Sequence, residues 1–146
     1  MRIAIVSGKS EGPSKLNAFD NALLEAGIGD VNLIKVSSML EGNTQIAKLS
    51  YFKPGSMVNC VLSNIESDIK GDKITAVVAV AIGDNLGCVV EKTGLNVDKE
   101  KIINDCELMV KYMMIKRNEK IKDLTIEESS TTVDSIASVV AAVVYL

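Results

Sequence analysis

Histidine is absent from this chain. Its absence removes Ser-His-Asp and Cys-His pairs, histidine-bearing zinc sites and the commonest general acid–base side chain. Any catalysis must come from carboxylates, lysine, tyrosine, hydroxyls or a group made from them. Long apolar runs are missing as well. Nothing approaches the roughly 18 consecutive apolar residues of a membrane-spanning helix, and the N-terminal run Ile3–Val6 is too short for a signal-peptide core. The C-terminal run Val139–Leu146 reads instead as a buried element. An excess of positive charge is also lacking. A net charge of −3 argues against a nucleic-acid footprint and mildly favours a cationic small molecule over an anionic one. Aromatic residues are only 3% of the chain, so the core must be built from Val, Ile, Leu, Ala and Met. Cys60, Cys88 and Cys106 are odd in number and far apart, which suits reduced thiols in a cytoplasm and offers no paired-thiol metal site. A cytoplasmic protein is expected, with no membrane and no nucleic acid as partner.

What is present is a sizeable apolar fraction, 47% of 146 residues, with 24% charged and no repeat, linker or low-complexity segment. One domain over residues 1–146 is the simplest reading. Ile3–Val6 reads as a first strand, Lys9–Lys15 as a loop, and Leu16, Phe19, Leu23 and Leu24 fall at helical spacing up to Gly27. Strands are expected at Val31–Val36, Met57–Ile65, Ile74–Ile82, Gly87–Lys92, Ile121–Glu127 and Val133–Leu146. Glu41–Lys53 reads as loop, and Val97–Arg117 as the longest helix, with Asp98 as its cap. Strands and helices do not alternate regularly. This order fits an α+β fold, a sandwich of two β-sheets flanked by helices, better than a doubly wound one.

Three places carry possible chemistry. The apolar run Asn32–Val36 ends abruptly in Ser37-Ser38 and then Glu41-Gly42-Asn43. A hydroxyl held in a strained turn can attack the carbonyl of the preceding residue. The bland alternative is two small polar residues closing a strand, and Ser129-Ser130 is a second such pair to which no role is assigned. Asp20 lies one residue past Phe19, at the edge of the apolar stripe, either solvated or turned into a cleft. Glu91 ends a short strand after Val89-Val90. Ser7-Gly8-Lys9-Ser10 offers Gly-Lys-Ser after a strand, but lacks the first glycine and the spacer of a phosphate-binding loop. Met109, Met113 and Met114 read as core filler.

A longer pattern joins these places. Ser10-Glu11-Gly12, Leu16-Asn17-Ala18-Phe19-Asp20, Ala22-Leu23-Leu24, Ala26-Gly27-Ile28-Gly29, Val31-Asn32-Leu33-Ile34 and Ser37-Ser38 follow one another closely. Pro54-Gly55, Val80-Ala81-Ile82 and Gly87-Cys88-Val89-Val90-Glu91 continue it further on. The chain resembles the pyruvoyl-dependent arginine decarboxylases over nearly its whole length, most closely up to Ser38. It departs from them at Met39-Leu40-Glu41-Gly42-Asn43, where those proteins have an apolar, proline-containing segment. It departs again at Ile46–Lys53, where theirs is longer and proline-rich.

The resemblance implies a four-layer αββα fold and a chemistry that needs no histidine. The Ser38 hydroxyl would attack the Ser37 carbonyl, and the chain would part into a β chain of residues 1–37 and an α chain of residues 38–146. Ser38 would become a covalent pyruvoyl group, with neither pyridoxal phosphate nor metal required. That group would form a Schiff base with L-arginine and release carbon dioxide, leaving agmatine. The resemblance assigns Glu91 to protonating the carbanion, with Val89-Val90 as an apolar approach that keeps a carboxyl protonated. It assigns Asp20 to the guanidinium, whose planar fork matches two carboxylate oxygens. It assigns Asn32 to supporting the processing peptide. It also implies a homotrimer of processed protomers, with active sites between neighbours. Two alternatives stay open at this point: a pyruvoyl decarboxylase for a different amino acid, and an unprocessed, non-catalytic binding paralogue.

Overall fold

Two strands whose residues are apolar on both sides decide the architecture. In Lys73–Ile82, residues Ile74, Ala76, Val78, Val80 and Ile82 face one core, while Val77, Ala79 and Ala81 face another. In Ala137–Tyr145, Val139, Ala141 and Val143 share the first of those cores, and Val140, Ala142 and Val144 line a third. A strand buried on both faces needs a layer on each side, and each buried valine gains about 1.5–3 kcal/mol from leaving water. Two such strands, in two sheets that share one face, require four layers.

The computed structural model describes residues 1–146. Its elements are β1 (Arg2–Glu11), α1 (Lys15–Glu25), β2 (Asn32–Lys35), β3 (Met39–Glu41), β4 (Gln45–Ile46), β5 (Met57–Ser67), β6 (Lys73–Ile82), β7 (Leu86–Leu95), α2 (Lys99–Lys116), β8 (Asp123–Thr132) and β9 (Ala137–Tyr145). They form a five-stranded sheet in the order β2-β5-β9-β1-β4 and a four-stranded sheet in the order β3-β7-β6-β8. Helix α1 packs on β1, β9 and β5, and α2 packs on β7 and β6. The layers are therefore helix, sheet, sheet, helix, the αββα sandwich expected. The Ser14 hydroxyl caps α1 by accepting from the Asn17 N–H at 3.1 Å, and the Asp98 carboxylate caps α2 by accepting from Glu100. Gly27, at φ +84, ends α1 in a conformation that a side chain would strain.

Several boundaries differ from the sequence reading, each for a pairing reason. Strand β1 does not break at Ser7-Gly8. It runs on to Glu11 because Gly8, Lys9, Ser10 and Glu11 pair in turn with Val140, Val139, Ser138 and Ala137. Gly8 is there for close approach, since a Cβ on it would stand 2.3 Å from the Ala22 carbonyl oxygen of α1. Ser7-Gly8-Lys9-Ser10 is thus the middle of a strand and not a phosphate loop. The expected loop over Glu41–Lys53 holds the end of β3 and all of β4, which lies parallel to the start of β1. Strand β7 continues past Lys92 to Leu95 because it pairs with β6 down to Ile74, and β8 likewise reaches Thr132. The last strand begins at Ala137, later than Val133.

Candidate functional site

The chain changes sheets at Ser37-Ser38. Strand β2 is an outer strand of the five-stranded sheet, paired only with β5, and β3 is an outer strand of the four-stranded sheet, paired only with β7. Val36, Ser37 and Ser38 carry the backbone from one to the other along an open side of the sandwich. Each flank of this crossover is gripped by a different sheet. The Val36 N–H donates to the Cys60 carbonyl at 2.9 Å, and the Val89 N–H donates to the Ser38 carbonyl at 2.8 Å. Ser37 between them is exposed, and Ser38 is partly buried. One residue further on, the Met39 carbonyl accepts from the Tyr145 hydroxyl at 3.0 Å.

Glu91 lies two residues beyond Val89 on β7, roughly 7 Å along the strand. It pairs with Val78 and shares the face of Val89, the face turned toward the other sheet. Strand β3 pairs with β7 only from Leu86 to Cys88, so the stretch with Glu91 has no strand on its outer side. Ser63, buried in β5, steadies it by donating its hydroxyl to the Lys92 carbonyl at 2.8 Å. The apolar enclosure expected for Glu91 is not supplied by its own chain. Val89 points into the inter-sheet core and Val90 toward α2, and the Glu91 side chain that follows them is exposed.

Asp20 and Asn32 lie elsewhere. Asp20 is exposed on α1, between the exposed Leu16 and Leu24 one turn before and after it. Helix α1 covers the far side of the five-stranded sheet, so a whole sheet separates Asp20 from Glu91. Asn32, at the start of β2, donates its side-chain N–H to the Gly55 carbonyl at 3.0 Å. Five extended residues, roughly 16 Å, separate it from Ser37, so within one chain it ties β2 to the Pro54-Gly55 turn and does not touch the Ser37-Ser38 peptide. The fold brings Ser38 and Glu91 to one edge and leaves Asp20 and Asn32 away from it.

The other nucleophile class is closed off. All three thiols are buried, and burial is the largest cause of their raised pKa values, with Cys106 pushed up to about 11. Protonated, enclosed thiols are inert at neutral pH. The large cavities also lie away from Ser38. One, of about 590 Å³, is polar and opens at the start of α2 beside Lys73, Asn96 and Lys99. The other, of about 760 Å³, is an apolar hollow on the outer side of α2 near Val90.

Comparison with known proteins gives the family. The family model described as pyruvoyl-dependent arginine decarboxylase matches residues 2–146. The chain belongs to the pyruvoyl-dependent arginine decarboxylase family. A protein of that name from Methanothermobacter thermautotrophicus is 55% identical over 146 residues, covering 100% of this chain and 97% of that one. Another, from Pyrococcus furiosus, is 37% identical over 145 residues, covering 96% and 91%. Among solved structures, a pyruvoyl-dependent histidine decarboxylase at pH 8 superposes with a TM-score of 0.53 at 16% identity, over 66% of this chain and 53% of that one. That likeness speaks for the fold alone, and it is the two-sheet sandwich.

Sequence reasoning missed the groups that hold the crossover. The Val89 N–H carries no sequence signal, because a backbone donor looks the same at every residue. Ser63 and Tyr145 could have been found by phase. Ser63 falls in step with Val61 and Ile65, and Tyr145 with Ala141 and Val143, so both point between the sheets. No helix is long and apolar enough to cross a membrane.

Proposed function

We propose that this chain cleaves itself between Ser37 and Ser38 and that the processed protein decarboxylates L-arginine to agmatine and carbon dioxide. The observation that carries the proposal is the Ser37-Ser38 peptide strung between two sheets, with Glu91 on the strand that holds the Ser38 carbonyl. In the cleavage, the Ser38 hydroxyl oxygen bonds to the Ser37 carbonyl carbon, and the carbon–nitrogen bond breaks to leave an ester. Loss of a proton from Cα and of the acyl oxygen from Cβ then frees Ser37 as a carboxylate and leaves a dehydroalanine at position 38. Water replaces its nitrogen, which departs as ammonia. Residues 1–37 and 38–146 are the two products.

The residues around Ser38 fit the resulting pyruvoyl group. It would occupy the place of Ser38 itself, its amide oxygen already held by the Val89 N–H. A ketone conjugated to an amide carbonyl condenses with an amine and accepts the electron pair left when a carboxylate departs as carbon dioxide. The chain's own groups do the rest. The Val89 N–H is aimed at the oxygen on which negative charge gathers, a preorganised donor of the oxyanion-hole kind. Glu91, on the inter-sheet face of the same strand, supplies the proton that the α-carbon takes up. No free cofactor is required.

Asp20 would bind the guanidinium and Asn32 would support the crossover of a neighbouring protomer, since neither reaches the Ser38 edge of its own chain. That division supports sites shared between copies, which would be those of a homotrimer of processed protomers. A neighbour docked over the exposed Glu91 would also supply the enclosure that this chain lacks. Free, buried thiols support a cytoplasmic setting.

A denaturing mass spectrum of the purified protein and of Ser38→Ala tests this reading. Two fragments parted between Ser37 and Ser38, the larger with a blocked N-terminus, are expected for the wild type, and one whole chain for the variant. A stable, intact 15.6 kDa wild-type species would overturn it. Release of carbon dioxide from arginine, measured against other amino acids, then fixes the substrate.

A further inference from the structure

We propose that Tyr145 is a positioning residue that fixes the head of the 38–146 chain after cleavage, acting through the Met39 carbonyl. The inference rests on the self-cleavage proposed above. Met39 lies in β3, an outer strand only three residues long. The Ser38 carbonyl points toward β7 and meets the Val89 N–H. Successive carbonyls of a strand point to opposite sides, so that of Met39 points off the sheet, where no strand stands to donate to it. The donor comes from the other layer. Tyr145 ends β9, in the middle of the five-stranded sheet, with its ring packed against the inter-sheet core and its hydroxyl 3.0 Å from the Met39 oxygen.

Before cleavage, residue 38 is held by the chain on both sides. After it, residue 38 is a terminus, and a terminus at the head of a three-residue edge strand frays unless something ties it down. Two donors do so. Val89 holds one carbonyl from the four-stranded sheet, and Tyr145 holds the next from the five-stranded sheet. With two consecutive peptide units fixed, the position of the reactive carbonyl relative to Glu91 is set. The phenol stays a donor throughout the neutral range, because burial, and then the neighbouring Cys60, push its pKa up.

The test is Tyr145→Phe, which keeps the ring and removes one oxygen. Its control is Ser129→Ala, which removes the more buried hydrogen bond from Ser129 to the Gly8 carbonyl, between the same two layers but away from the crossover. Self-cleavage is followed by mass spectrometry, and kcat and KM for arginine are measured per pyruvoyl group counted by hydrazine titration. For Tyr145→Phe, kcat is expected to fall about tenfold, as loss of one positioning hydrogen bond allows, with self-cleavage as in wild type and KM within about twofold of it. Ser129→Ala should melt earlier and yet cleave and turn over as wild type does. If Tyr145→Phe matches wild type in kcat, or if both variants lose activity alike, the positioning role is wrong. A wild-type chain that never cleaves overturns the underlying reading as well, and so the two failures are told apart.

Discussion

The molecule contains two Ser-Ser pairs, and the fold treats them differently. Ser129 and Ser130 sit in the middle of β8, paired with Ala76 and Thr75 of β6. Both hydroxyls are committed. That of Ser129 donates to the Gly8 carbonyl at 2.9 Å and that of Ser130 to the Glu128 carboxylate at 2.6 Å. A serine locked into a regular ladder, with its oxygen engaged elsewhere, has no approach to its neighbour's carbonyl. Ser37 and Ser38 sit where the backbone leaves one sheet for the other, and there the fold holds the Ser38 carbonyl. The same dipeptide stitches two layers together in one place and spans the gap between them in the other. Position relative to the sheets, and not residue type, separates a structural pair from the one proposed to react.

The contrast can be broken most sharply at the hydroxyls themselves. Ser38→Ala should abolish cleavage and decarboxylation completely, while Ser130→Ala should leave both intact; electrophoresis of the two purified variants reads the outcome directly. Equal cleavage in both would erase the distinction. Next in size is Glu91→Gln. The amide cannot deliver a proton to carbon, so kcat should drop by about a hundredfold or more, as measured by carbon dioxide release, with the chain still parting at Ser37. Loss of cleavage in that variant would move Glu91 from turnover to processing. Asp20→Asn should raise KM for arginine by about tenfold to a hundredfold, through loss of a charge-assisted pair, and leave self-cleavage untouched. An unchanged KM would take the guanidinium away from α1. The smallest effect belongs to the quiet pair. Ser129→Ala leaves the buried Gly8 carbonyl without its donor and should cost about 1–2 kcal/mol in thermal or denaturant unfolding, with no change in kcat.

Much of this was legible before any coordinates, for reasons that differ by region. Residues 74–82 and 139–144 are almost wholly apolar and so were legible as buried elements, and the irregular order of strands and helices pointed to the sandwich. Asp98 announced the start of α2 because an acidic cap before an apolar periodicity has a local cause. Ser7–Glu11 misled for an equally physical reason. Serine, glycine and lysine have low intrinsic strand preference, and what makes them a strand is a partner about 130 residues away in sequence. The short β3 and β4 were invisible likewise, since two or three residues carry no period.

The site divides along the same line. Sequence by itself determined that histidine chemistry was closed, that a serine pair followed an apolar run, and that Asp20, Asn32, Ser38 and Glu91 stood at the spacings of a known family. These are properties of residue identity and order, which local chemistry can read. Only the tertiary structure decided that the serine pair is the crossover between two sheets, that Val89, Ser63 and Tyr145 hold its surroundings, and that Asp20 is on the far side of a layer from Glu91. Each of those depends on which backbone groups two distant strands leave unpaired, and that is set by the closing of the sandwich.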